Sequence, residues 1–187
     1  MKLKLICFIC VLLAILAGCA KPPLAEMESA REAVLRAEND PDVVQYAASS
    51  LSRAQAALRR MQTEADSKRY DAVKTLAAEA IAAADKAIAD AKAGVERARS
   101  EAAALLSGLK PEIEETGKGI DRARAAGFSL NYNELNNELK YAKDSAEKAE
   151  TDLAMNRYQN ALDNGKNARA ALGDINQKLA NAAPRKK

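Results

Sequence analysis

From Tyr70 to Leu105 the apolar positions step by three and four residues almost without interruption: Tyr70, Val73, Ala77, Ala80, Ala84, Ile88, Ala91, Val95, Ala98, Ala102, Leu105. Steps of three and four keep side chains on one face of an α-helix, and so long a stripe is buried only against another helix. The seam predicts a helix ending near Ser107, about 57 Å long at ~1.5 Å rise per residue. A compact globular core has no need of an element of that length.

Similar seams flank it. A short helix is expected from Leu24 to Glu38, with Ala30, Ala33, Val34 and Ala37 on one side. Asp40-Pro41-Asp42 then reads as a restart: Asp40 can cap, Pro41 suits the first helical position, and Asp42 suits the positive end of the dipole. One helix is expected from Pro41 to about Asp66, seamed by Val43, Ala47, Ser50/Leu51, Ala54, Leu58, Met61 and Ala65, with Ser67 as a cap after a tight turn. Gly108 and Pro111 mark either a kink or an end, and the phase carried across them by Leu109, Ile113 and Ile120 leaves both open. Gly127 is expected in a left-handed cap, Phe128 to Asn131 in a loop, and a second hairpin in Tyr132–Ala154 and Arg157 to about Asn181. No useful stretch alternates with period two, so strands are not expected.

The reading is therefore an all-α fold: long antiparallel amphipathic helices in a narrow, Ala-rich bundle or coiled-coil-like rod. Its divisions are 1–18, a signal peptide; 19–40, an acylated Cys, spacer and short helix; 41–107, a first hairpin; 108–130, a kinked connecting helix and loop; 131–183, a second hairpin; and 184–187, a basic tail. With 42 Ala among 187 residues, 4% aromatics and no Trp, the buried seams are thin. Each Ala contributes little transfer energy, so length or self-association must add to stability.

Composition also excludes chemistry. The chain has no His, which removes the commonest general base and the commonest zinc ligand. Gly117-Lys118-Gly119 lacks the upstream Gly and following hydroxyl of a phosphate-binding loop. Glu112, Glu114 and Glu115, like Glu147 and Glu150, have no Gly-turned loop to gather oxygens around a cation and read as solvated helix faces. The five tyrosines, Tyr46, Tyr70, Tyr132, Tyr141 and Tyr158, are expected to plug hairpin ends rather than form a stacking platform. No catalytic site, cofactor or metal is expected.

The first segment carries the clearest address. Lys2 and Lys4 precede an apolar run from Leu5 to Leu16, and Leu16-Ala17-Gly18-Cys19 follows. The run is shorter than the ~20 residues a spanning helix needs and has the form of a secretory signal. The junction resembles the lipobox of bacterial lipoproteins. That resemblance implies diacylglycerol on the Cys19 thiol, cleavage before Cys19 and acylation of the new amino terminus, typically by palmitate. Several acyl chains give a stable membrane anchor where one is marginal. Cys7 and Cys10 would be discarded, so their C-x-x-C spacing is not a metal or redox motif in context. Removing Lys2 and Lys4 from the 29 basic residues leaves a net charge of +1, which argues against a nucleic-acid partner. In the lipoprotein family an Asp after the Cys retains the protein at the inner membrane. Ala20 and Lys21 stand here, which implies the periplasmic face of the outer membrane, or the plasma membrane where the source has only one.

A second resemblance rests on Ser29-Ala30-Arg31-Glu32-Ala33, Tyr46-Ala47 and Lys68-Arg69-Tyr70-Asp71-Ala72 with the Ala-rich helix that follows. This stretch resembles a bacterial family of lipoprotein helical hairpins, domain of unknown function 4398. The family's Gly-Ala before the Tyr is Val44-Gln45 here, and its proline after Tyr-Ala is Ala48. The resemblance implies an envelope lipoprotein with no known catalysis, hence a non-enzymatic scaffold or adaptor with an envelope-protein partner. The alternative is a structural tether. Pro184-Arg185-Lys186-Lys187 is similar to the end of the major outer-membrane lipoprotein, whose terminal Lys is joined to peptidoglycan, which marks Lys187 as the candidate attachment point.

Aligning Arg69-Tyr70 with Arg157-Tyr158 sets an offset of 88 residues and superposes Leu51 on Leu139, Ala54 on Ala142 and Ala80 on Ala168. Ala-rich hairpins share such periodicity by composition, so the sequence leaves duplication and coincidence both open.

Overall fold

The computed structural model describes residues 21–182. Cys19 and the tail with Lys187 lie outside the described residues. Among the described residues six helices run in order: α1 (Leu24–Glu38), α2 (Pro41–Tyr46), α3 (Ala48–Asp66), α4 (Tyr70–Ala125), α5 (Tyr132–Ala154) and α6 (Tyr158–Ala180). The fold is an all-α helical bundle. Among the described residues no helix is long and apolar enough to cross a membrane.

The chain forms two compact units that part between Lys92 and Ala93. In unit one, α1, α2, α3 and the start of α4 enclose a core of small residues, with Met27, Val34, Val43, Met61 and Val73 as its larger members. Asp40 caps α2 as expected: its carboxylate accepts from the Asp42 and Val43 amides at 2.9 and 3.4 Å, and Pro41 takes the first turn. In unit two, the rest of α4 packs with α5 and α6 around Leu109, Leu172, Ile120, Leu135 and Ile175.

Three details differ from the sequence reading. The helix expected over Pro41–Asp66 is broken at Ala47, where φ is −133° and ψ is 27°. Hydrogen bonds from Ala47 N to Val43 O (2.9 Å) and Leu51 N to Ala47 O (3.0 Å) bridge the break. The apolar phase therefore survives, and both Val43 and Ala47 stay buried. Ser67 does not cap α4. It closes α3, with its hydroxyl donating to the Thr63 carbonyl at 3.0 Å. Finally, α4 does not end near Ser107 but runs through Gly108 and Pro111 to Ala125. Proline there removes an amide donor from the helix interior. Arg169 on α6 braces this stretch, donating to the Leu105 carbonyl and to Glu112 Oε2, both at 3.4 Å.

All three reversals between long helices use one device, a left-handed residue just past the helix end that lets two amides fold back onto the last turn. Gly127 takes it after α4, with φ 75°. Lys68 and Asn156 take it in the hairpins, with φ 57° and 59°.

Candidate functional site

Polar side chains that pair between the helices cluster at the hairpin turns and at the hairpin ends opposite them. In the α5–α6 turn, Asp152 is buried and both its oxygens are occupied: Oδ1 accepts from Arg157 Nε at 2.7 Å and Oδ2 from Asn164 Nδ2 at 2.8 Å. In the α3–α4 turn, Glu64 accepts from Arg69 Nη2 at 2.9 Å. Each pair ties the last turn of one helix to the start of the next. These pairs are braces: each acid is held by a guanidinium across the turn, and Asp152 by an amide as well.

At the end of the unit-one hairpin opposite its turn, the Ser50 hydroxyl donates to Asp90 Oδ2, and Lys86 reaches Asp90 Oδ1 at 2.8 Å. Lys86 first, then Ser50, holds the Asp90 carboxyl below its usual value. In unit two, Lys178 lies between Glu134, at 2.6 Å, and Glu138. The pair raises Lys178 to about 12, and Lys178 lowers Glu134. Glu138 Oε2 is buried without a partner, so part of its desolvation is not offset. Thr116 on α4 accepts from Asn176 Nδ2 at 3.3 Å.

The tyrosines are dispersed. Tyr70 is half-buried against the unit-one core. Tyr132 donates to the Phe128 carbonyl at 3.0 Å and lies under the Arg124 guanidinium, 4.8 Å from its ring centre. Tyr158 donates to Asn156 Oδ1 at 2.7 Å. These three plug hairpin ends, whereas Tyr141 is 54% exposed on α5. Gly117-Lys118-Gly119 lies inside α4, where Gly119 lets Leu179 approach: a Cβ there would stand 3.2 Å from Leu179 Cδ1. Glu115 is engaged by Arg122 at 2.6 Å, which lowers its pKa, and Glu112 by Arg169. Among the described residues no group of three or more Cys, Asp or Glu is placed to hold a metal ion. Two concavities are open and of mixed polarity, one lined by Asp144, Lys148, Asp152 and Arg157, another by Ser129, Leu130, Asp174, Lys178 and Asn181. Neither offers the enclosed apolar walls of a small-molecule site.

Comparison with known proteins places the first unit. Residues 25–105 match the family Domain of unknown function (DUF4398). No curated protein and no solved structure matches the chain. The DUF4398 match spans α1, α2, α3 and α4 as far as Leu105. It includes Tyr46-Ala47 and Lys68-Arg69-Tyr70, the residues on which the resemblance rested. In the structure Tyr46 ends α2, Ala47 is the break, and Lys68 is the left-handed residue of the turn. Ala48, where DUF4398 chains carry proline, is the first residue of α3, so the departure noted in the sequence sits on the break that periodicity missed.

The turn braces also escaped the sequence reading, although a signal existed. Glu64/Arg69 and Asp152/Arg157 share an acid-to-Arg spacing of five, one residue too long for a pair on one helix face. Such a spacing across a helix end marks a reversal.

Proposed function

We propose that the chain is a lipid-anchored, non-enzymatic helical scaffold or adaptor of the bacterial cell envelope, held through acylated Cys19 at the periplasmic face of the outer membrane. The observation that carries the reading is the junction Leu16-Ala17-Gly18-Cys19, preceded by a basic and apolar leader and followed by Lys21-Pro22-Pro23 and a helical bundle. The leader supplies an address and the bundle a persistent shape. Asp152 and Glu64 are tied up in turn braces, and the grooves are open, which suits a surface that holds other macromolecules better than a pocket that turns over a substrate. The DUF4398 match adds no activity to this reading.

In-cell crosslinking tests the adaptor role. One envelope protein recovered reproducibly from intact cells, and lost when Cys19→Ser releases the chain from the membrane, is the expected result. Recovery of this chain alone, crosslinked only to itself, contradicts it.

The second reading is a tether in which Lys187, behind Pro184, is joined to peptidoglycan. Muramidase digestion of purified sacculi would then release the chain with a muropeptide on Lys187. Its complete absence from sacculi excludes covalent attachment and leaves the adaptor.

A further inference from the structure

We infer that residues 113–180 are a second copy of the three-helix unit that the DUF4398 match assigns only to residues 25–105. The two hairpin turns agree atom by atom at an offset of 88 residues. Lys68 N to Ala65 O is 2.9 Å and Asn156 N to Leu153 O is 3.1 Å; Arg69 N to Glu64 O is 3.0 Å and Arg157 N to Asp152 O is 2.8 Å. Thr63 and Thr151 each return their hydroxyl to the carbonyl four residues back, at 3.1 and 2.9 Å. The braces Glu64–Arg69 and Asp152–Arg157 stand at the same offset.

Agreement continues far from the turn. Ala47 and Leu135, Met61 and Ala149, Val73 and Ala161, Ala87 and Ile175 are buried pairs 88 residues apart. So is the polar contact that crosses each hairpin, Ser50 with Asp90 in unit one and Glu138 with Lys178 in unit two. The third helix follows as well. Met27, Ala30, Val34 and Ala37 of α1 occupy the places of Ile113, Thr116, Ile120 and Ala123 of α4, at an offset of 86 because the connections differ in length.

Shared Ala periodicity does not account for this. It repeats every few residues and would accept many offsets, whereas a non-glycine left-handed residue, an acid-to-Arg brace and a cross-hairpin polar contact coincide at one. Arg69/Arg157 and Thr63/Thr151 are identical, and the other residues of those contacts have diverged while their places have not, which is the mark of a copied backbone.

Two variants of the full chain test the inference. In the first, residues 62–72 and 150–160 are exchanged, which leaves composition unchanged. Helicity equal to the parent and a Tm within about 5 °C of it are expected. The exchange displaced by one residue, 62–72 with 151–161, moves each turn by about 100° against its seams and should abolish cooperative unfolding. In the second, residues 62–149 are excised, joining Met61 to Glu150. One whole period is removed, so a helical protein with a single cooperative transition is expected, and the out-of-phase excision of 62–147 should lack it. An in-register exchange that unfolds like its displaced control, or an in-register excision no better than its out-of-phase control, overturns the inference.

Discussion

The two hairpins, α3 with the start of α4 and α5 with α6, run in the same register and are filled differently. Moving away from the turn, unit one buries Ala77, Ala80, Ala84 and Ala87, and unit two buries Gly165, Ala168, Leu172 and Ile175. Near the turn unit one buries Met61 and Val73 where unit two buries Ala149 and Ala161. Farther out, the third helix decides the volume. In unit one α1 brings Met27 and Val34 up to an Ala wall; in unit two α4 offers Leu109 and Ile120 to Leu172 and Ile175. Register and volume are thus separate properties of this bundle. Away from the turn, unit two should draw its stability from a few large side chains, and unit one from many small ones.

Truncation is the most direct way to break that contrast. Leu172→Ala removes a fully buried side chain and should cost about 2–5 kcal/mol in urea denaturation. Ala84→Gly at the matching position should cost about 1 kcal/mol, mostly through helix propensity. Equal losses would mean that the two cores do not differ in the way described. Gly165 sharpens the comparison. A Cβ there would lie 2.6 Å from Leu105 Cδ2, so Gly165→Ala should destabilise by about 1–3 kcal/mol, with Leu105→Ala in the same chain recovering part of the loss. Gly173→Ala meets nothing within 4 Å and should stabilise by about 0.5–1 kcal/mol.

The turns supply a smaller effect of opposite sign. Lys68 pays for a left-handed conformation that Asn156 adopts more readily. Lys68→Gly should raise stability by about 1 kcal/mol, and Asn156→Gly by only a few tenths; a loss at Lys68 would show that its side chain, not its backbone, matters. The smallest effect is in pH. Asp90 in unit one and Glu134 in unit two have lowered pKa values, so their contribution is present above the unfolded value near ~4 and lost as pH falls through the folded one. Lys178 is raised to about 12, so its contribution is present below the unfolded value near ~10.4 and lost as pH rises through the folded one. Thermal melts should therefore show a Tm plateau from about pH 5 to 10, with shallow shoulders because the pairs are screened by solvent. A midpoint shift inside the plateau would contradict these assignments.

Most of the fold was legible because three-and-four spacing admits few alternatives. The α1 bounds, the Asp40 cap and the Gly127 reversal follow from local chemistry alone. What stayed hidden is tertiary. Nothing at Ala47 forbids helix, and the break there brings Val43 and Ala47 into one core. Pro111 reads locally as a boundary, yet α4 continues through it where the helix is packed against α6 and braced by Arg169. The braces lie on opposite sides of a turn, where helical spacing carries no information. Of the candidate site, the proposed acyl acceptor Cys19 is read as a motif rather than as a geometry, since such a residue is defined by the enzyme that reads it.

That acyl acceptor is also where the account is most directly tested. Mass spectrometry of the chain extracted from membranes of its own host should find an amino-terminal peptide beginning at Cys19 and carrying the mass of a diacylglycerol and an amide-linked acyl chain. A chain retaining residues 1–18, or beginning at Cys19 with a free thiol and a free amine, would contradict it.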